Sequence, residues 1–294
     1  MLRLSWQDLG HINLAFAAMF AIAGQPAAAA ITPEIKQIDG LDVAIWEPSD
    51  DGGPHPLILF SHGWSGCKTQ SGHLMEAFAA QGMLVMAPDH EDNGCTTGLR
   101  LPLPPELLAP ETWTEDRFPD RAQDITRLLA AAKSDATYAP LIDASRVALV
   151  GHSLGGYTML GLAGAWPESQ IAGLAAVVAL APYAATFKAA GALDQVTVPL
   201  LFQAGERDEA ARLSDVQAVF ARATAPRCMV VYQGAGHFAW VDREALPARQ
   251  ADLAQPQFQH DIAAAAVAFL QEVFDDQPIG TRLMSLPTPP VDCK

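Results

Sequence analysis

From Ile31 to Pro48, apolar positions (Ile35, Ile38, Leu41, Val43, Ile45) fall among polar ones with a period near two, which predicts an antiparallel hairpin with one wet face. After the turn signal Asp50-Asp51-Gly52-Gly53-Pro54 the pattern changes. Short continuous apolar runs appear at Leu57–Phe60, Met83–Ala87, Val147–Val150, Ala175–Ala181, Val198–Gln203 and Cys228–Tyr232, as expected of strands buried on both faces. Between them lie segments of helical spacing: His73–Gln81, Arg117–Lys133 with Ile125, Leu128, Leu129 and Ala132 on one face, Leu213–Arg222 and Phe258–Phe274. Strands alternating with helices predict an α/β fold, a mostly parallel, doubly wound sheet flanked by helices. Cys95–Glu115 is proline-rich and loop-like, either a wall or partial lid over a site or a neutral surface loop. The chain shows no internal repeat, and from about residue 280 its Pro-rich end (Pro287 to Pro290) reads as a tail.

The first thirty residues have the layout of an export signal: Arg3 in a short leading region, an apolar stretch from Leu14 to Gly24, and Ala28-Ala29-Ala30 as a small-residue cleavage site. The apolar stretch is too short for a stable membrane anchor. The expected organisation is therefore a signal peptide over 1–30 and a single domain over 31–294, in a secreted or periplasmic protein. With 18 Lys and Arg against 33 Asp and Glu, the net charge is −15, which argues against nucleic acid or anionic membrane as a partner. Oligomeric state is not legible.

Export permits disulfides, and four cysteines allow three pairings. Cys67 and Cys95 each follow a neighbouring parallel strand at the same end of the sheet, whereas Cys228 begins a late strand and Cys293 lies in the C-terminal tail. Cys67 with Cys95, and Cys228 with Cys293, is the pairing expected.

Chemistry concentrates where the strand Val147–Val150 runs into Gly151-His152-Ser153-Leu154-Gly155. This G-x-S-x-G sequence sits between a strand and a helix-compatible segment, the context in which a nucleophilic serine is held on a tight turn. A serine hydroxyl needs a base, and the base needs a carboxylate to fix its tautomer. Gly205-Glu206-Arg207-Asp208 and Gly234-Ala235-Gly236-His237-Phe238 follow the strands ending at Gln203 and Tyr232, giving Asp208 as the acid, Glu206 as its rival, and His237 as the base. The backbone N–H groups of Leu154 and Trp64 are the expected donors to an oxyanion. Trp64 and Tyr183 are the expected substrate-binding aromatics, lining opposite sides of a pocket for an aryl or bulky apolar acyl group. Asp89-His90-Glu91-Asp92 has metal-ligand residue types, but hydrolysis by this set requires no ion, so neither a metal nor another cofactor is expected.

Taken together, Ser61-His62-Gly63, Ala87-Pro88-Asp89-His90, Gly151–Tyr157, Gly205–Asp208 and Gly236-His237-Phe238 resemble, in order and spacing, the α/β-hydrolases. The chain is similar, over about residues 40 to 275, to the dienelactone-hydrolase-like group that includes platelet-activating-factor acetylhydrolases and, more distantly, bacterial cutinases and polyester hydrolases. The resemblance implies a cofactor-free carboxylic ester hydrolase with Ser153, Asp208 and His237 as its triad and a small-molecule or polymeric ester as substrate. Dienelactone hydrolases themselves use a cysteine nucleophile, and the serine here argues against dienelactone as that substrate. The competing expectations are an amidase or peptidase with the same triad, a phospholipase/acetylhydrolase or polyester (cutinase-like) hydrolase as the substrate class, and a binding protein on a hydrolase scaffold.

Overall fold

The structure, a computed structural model, describes residues 31–49, 52–95, 102, 105–109, 112–113, 116–189, 191–287 and 289–294. The expected export signal over 1–30 and much of the 95–115 loop lie outside the described residues.

The N-terminal alternation becomes a hairpin of β1 (Glu34–Ile38) and β2 (Leu41–Trp46). Its two-residue turn, Asp39-Gly40, has positive φ at both positions (49° and 76°), the combination whose twist matches that of the flanking strands. Seven further strands follow: β3 (His55–Ser61), β4 (Leu84–Pro88), β5 (Ile142–His152), β6 (Ala176–Leu180), β7 (Leu200–Gly205), β8 (Arg227–Tyr232) and β9 (Val291–Cys293). They form one sheet in the order β1-β2-β4-β3-β5-β6-β7-β8-β9. The six from β4 to β8 are mutually parallel, and antiparallel strands close both edges.

The parallel strands are apolar on both faces because helices cover both. Along β5, Val147 and Leu149 enter the core shared with α2 (Pro119–Ser134), α3 (Leu154–Leu160) and α4 (Leu213–Arg222). Ala148 and Val150 enter the opposite core, filled by α1 (Gly72–Ala79) and α5 (Gln259–Phe274). The order of strands reverses at β3, which has β4 on one side and β5 on the other. The carboxyl ends of β3 and β5 therefore border a topological switch point, where open parallel sheets present a crevice for ligands.

Two expectations change. β5 is longer than its apolar run, because Ile142 and Asp143 pair with His55 and Pro56 before a register shift at Pro56/Leu57. The C-terminal segment is not simply a tail: Val291–Cys293 pairs antiparallel with β8, and the Cys228–Cys293 disulfide joins the two strands. The second disulfide, Cys67–Cys95, links the loops that follow β3 and β4. No helix of the described residues is long and apolar enough to cross a membrane.

Candidate active site

Ser153 stands between β5 and α3 with φ 56° and ψ −116°, a conformation that costs a non-glycine residue energy and persists only where the surroundings enforce it. Two backbone bonds enforce it: the Ser153 N–H donates to the Leu180 carbonyl, and its own carbonyl accepts from the Tyr183 N–H, both at 2.9 Å. The flanking glycines are sterically required. A β-carbon on Gly151 would lie 2.4 Å from the Gly155 carbonyl, and one on Gly155 would lie 2.0 Å from the Ser61 carbonyl oxygen. The first substitution would push the start of α3 away from the end of β5, and the second would push it away from the end of β3.

The loops after β7 and β8 bring the other two expected residues to this turn. They are stitched together by Glu206 N–H to the Tyr232 carbonyl at 3.1 Å and Arg207 N–H to the Ala235 carbonyl at 2.8 Å. His237 Nε2 lies 2.9 Å from Ser153 Oγ, and His237 Nδ1 lies 2.8 Å from Asp208 Oδ2. Asp208 Oδ1 accepts the N–H groups of Ala210 and Ala211 at 2.9 and 2.7 Å, which orients the carboxylate towards the imidazole. Glu206, the rival acid, instead accepts the Gly234 N–H at 2.9 Å and holds the turn after β8.

Leu154 is the first residue of α3, so its N–H has no acceptor within the helix. Trp64 is the first inner residue of a turn closed by Gly66 N–H to the Gly63 carbonyl at 2.9 Å. That turn is held from beneath by Arg121 of α2, which is wholly buried. Its guanidinium donates to the His62 carbonyl at 2.7 Å and the Gly63 carbonyl at 3.3 Å, and forms a fork with both oxygens of Asp92 at 2.8 Å. Asp92 in turn accepts the Ser65 N–H at 3.2 Å. Burial pushes the Asp92 carboxyl up, but the charge and hydrogen bonds of Arg121 outweigh it and hold the group below the usual carboxylate range.

Three of the four residues that suggested a metal are held by other side chains. Asp89 pairs with Lys68 at 2.5 Å, Asp92 with Arg121, and His90 Nδ1 with Asp124 at 2.9 Å. His90 Nε2 also meets Ser61 Oγ at 2.9 Å. His62 donates from Nδ1 to the Gly63 carbonyl and accepts the His90 N–H at Nε2, so it is neutral. Burial, with the Arg121 charge second, lowers His62 to about 3 and holds His90 well below its ordinary value.

A cavity of about 470 Å³ opens beside Ser153 and His237. Trp64 and Tyr183 both line it, with Leu107, Leu108, Phe238 and Leu246. Behind them runs a wall of rings missed by the sequence reading: Trp64 to Phe118 at 5.9 Å between centroids, Phe118 to Trp113 at 5.7 Å, and Trp113 to Tyr183 at 5.9 Å. The Tyr183 hydroxyl donates to the Leu107 carbonyl. The described part of the 95–115 loop therefore forms a side of the cavity. Trp113 and Leu107 gave no motif, only an apolar excess in a Pro-rich loop. Arg121 gave none either, being one polar residue in a helix whose apolar face was defined by other positions.

Among curated proteins none matches the chain. A family model described as serine aminopeptidase, S33, matches residues 52–193, the stretch that holds β3, β4, β5 and the turn at Ser153. That match supports a hydrolase, and a mixed sheet of nine strands with helices on both of its faces gives the described residues the α/β-hydrolase fold.

Proposed function

We propose that the protein is an exported serine hydrolase that cleaves carboxylic esters through an acyl-enzyme on Ser153. The observation that carries this is the hydrogen-bonded line Ser153–His237–Asp208 beside a cavity that Trp64, Tyr183 and Phe238 help to line. His237 takes the Ser153 proton as Oγ attacks the ester carbonyl, and Asp208 stabilises the imidazolium that results. The N–H groups of Leu154 and Trp64 receive the oxyanion, and each is worth roughly 3 kcal/mol of barrier. His237 then gives its proton to the leaving alkoxide, and water repeats the sequence to release the acid. The two disulfides are in keeping with an oxidising compartment.

An ester is favoured over the free amino terminus of a peptide by the charges at the cavity. A substrate ammonium needs an uncompensated anion shielded from water; of the lining carboxylates, Asp215 is already paired with Lys188 at 2.9 Å and Arg212 at 3.2 Å, and Glu209 is exposed, so that solvent screens its charge. Trp64 and Tyr183, backed by Phe118 and Trp113, support an aryl or bulky apolar acyl group over acetate, which favours a polyester (cutinase-like) substrate over an acetylhydrolase-like one. Matched p-nitrophenyl esters and p-nitroanilides test the reaction class: esters should turn over at least 100-fold faster in kcat/KM. Anilide turnover equal to or above that of the ester would identify an amidase or aminopeptidase instead. Tyr183→Ala should slow benzoyl ester hydrolysis more than acetyl, and an equal loss on both would remove the aromatic clamp.

A further inference from the structure

Gln70, almost wholly buried just before α1, touches the loops that carry all three parts of the site. Its Oε1 accepts the Gly63 N–H at 3.1 Å, so its amide nitrogen faces the other way. That nitrogen donates to His152 Nδ1 at 3.1 Å and to Ser71 Oγ at 3.3 Å. The Ser71 hydroxyl donates its own proton to the Trp240 carbonyl at 2.7 Å, so towards Gln70 it acts as acceptor. His152 Nδ1 must then present a lone pair, and the ring proton sits on Nε2, which donates to the His237 carbonyl at 3.0 Å.

Each bond in this row has one permitted direction: Gly63 to Gln70, Gln70 to His152, His152 to His237. The loop makes room for it, since a β-carbon on Gly66 would lie 2.1 Å from Gln70 Oε1. A further backbone bond, Asp242 N–H to the Gln70 carbonyl at 2.8 Å, ties the same residue to the segment following His237.

We infer that Gln70 and His152 are positioning residues, which set the oxyanion loop, the nucleophile turn and the base loop in one register through the polarity of a single amide. This rests on the serine-hydrolase reading above. Gly63 immediately precedes the donor Trp64, and the carbonyl that His152 holds belongs to the base itself, so an error in either placement is felt when the oxyanion forms. Displacements of about 1 Å at such groups cost on the order of 100-fold in rate.

Gln70→Glu preserves the shape and the acceptor for Gly63 but faces His152 Nδ1 with a second acceptor. Either that pair repels, or Nδ1 takes a proton and an imidazolium stands beside His237, whose ring centroid is 4.8 Å from that of His152. The expected result is a kcat lower by about 10- to 100-fold with KM within about twofold. His152→Asn supplies an amide that can turn either way. It should lower kcat in the Gln70 background, where the donor to the His237 carbonyl is lost, and leave unchanged or raise kcat in the Gln70→Glu background, where its NH₂ can meet the carboxylate. Purely additive losses would overturn the inference. Nitrogen-15 spectra of histidine-labelled protein, assigned with His152→Asn, give a readout independent of turnover: Nδ1 unprotonated and Nε2 protonated in the unsubstituted protein. A protonated Nδ1 there, or an unchanged kcat in Gln70→Glu, would overturn this inference alone. Absence of both ester turnover and active-serine labelling in the unsubstituted protein would dispose of the hydrolase reading, and the positioning role with it.

Discussion

Among the described residues stand two Ser–His–Asp rows of nearly the same dimensions. Ser153, His237 and Asp208 are spaced at 2.9 and 2.8 Å; Ser61, His90 and Asp124 are spaced at 2.9 and 2.9 Å. Distances alone therefore do not define a nucleophile. Ser153 sits in a strained backbone conformation at the start of a helix and borders a cavity, whereas Ser61 is the last residue of a strand with no exposed surface. The charges differ as well. Asp208 is oriented by two backbone N–H groups, while Asp124 is pushed up to about 6 by burial, against the pull of Arg127 and Arg121. In the buried row the Arg121 guanidinium donates to Ser61 Oγ at 3.3 Å, so that hydroxyl is a link between a cation and His90, with no room for an acyl group. The first row is read as chemistry and the second as scaffolding for the loop that bears Trp64.

Substitution at matching positions should separate the two most sharply. Ser153→Ala is expected to lower kcat on a p-nitrophenyl ester by about 10⁶-fold, and Asp208→Asn by about 10⁴-fold. Ser61→Ala and Asp124→Asn should change kcat by less than tenfold, with Ser61→Ala instead costing about 1–3 kcal/mol of stability in denaturant titration, because His90 and Arg121 lose a partner. The two sets exchanging these phenotypes would reverse the assignment.

A smaller effect isolates the scaffold. Arg121→Met leaves the Asp92 carboxylate buried without its cation and should destabilise the fold by about 3–5 kcal/mol. A change below about 1 kcal/mol in urea unfolding would mean that Arg121 does not organise this region.

The mildest test is pH. His62 is lowered to about 3 and His90 well below its ordinary value, so between pH 6.5 and the folded values the unfolded chain binds more protons at both. Asp124, raised to about 6, acts oppositely: between 3.8 and about 6 the folded chain holds a proton that the unfolded one releases. Glu76, Asp116 and Asp120, which burial also raises, act with Asp124, so the histidine contribution is read as the difference in melting temperature between the unsubstituted protein and His62→Asn. That difference should fall as pH drops from 6.5 to 4, and one that stays level or rises would contradict a buried neutral His62.

The same contrast shows what the sequence carried. Ser153 was legible because the glycines around it are a steric necessity of one turn, and Asp208 and His237 because glycine-rich loops follow buried strands in a fixed order. The strands were legible because burial on both faces leaves an unbroken apolar run. β9 was not, since three residues after a proline cluster carry too little pattern, although the expected Cys228–Cys293 pair already pointed to its neighbour. Arg121, Asp92 and Gln70 were invisible because their roles depend on contacts across 29 and 82 residues of chain, to Asp92 and His152 respectively, and no local spacing encodes such a contact. The ring wall of Trp113 and Phe118 was hidden for the same reason.

The most direct measurement is covalent: incubate the protein with a fluorophosphonate and map the modified peptide by mass spectrometry. One adduct on Ser153, lost in Ser153→Ala and strongly slowed in His237→Ala, is the predicted result. An adduct on Ser61, or no adduct on a folded protein, would contradict the account.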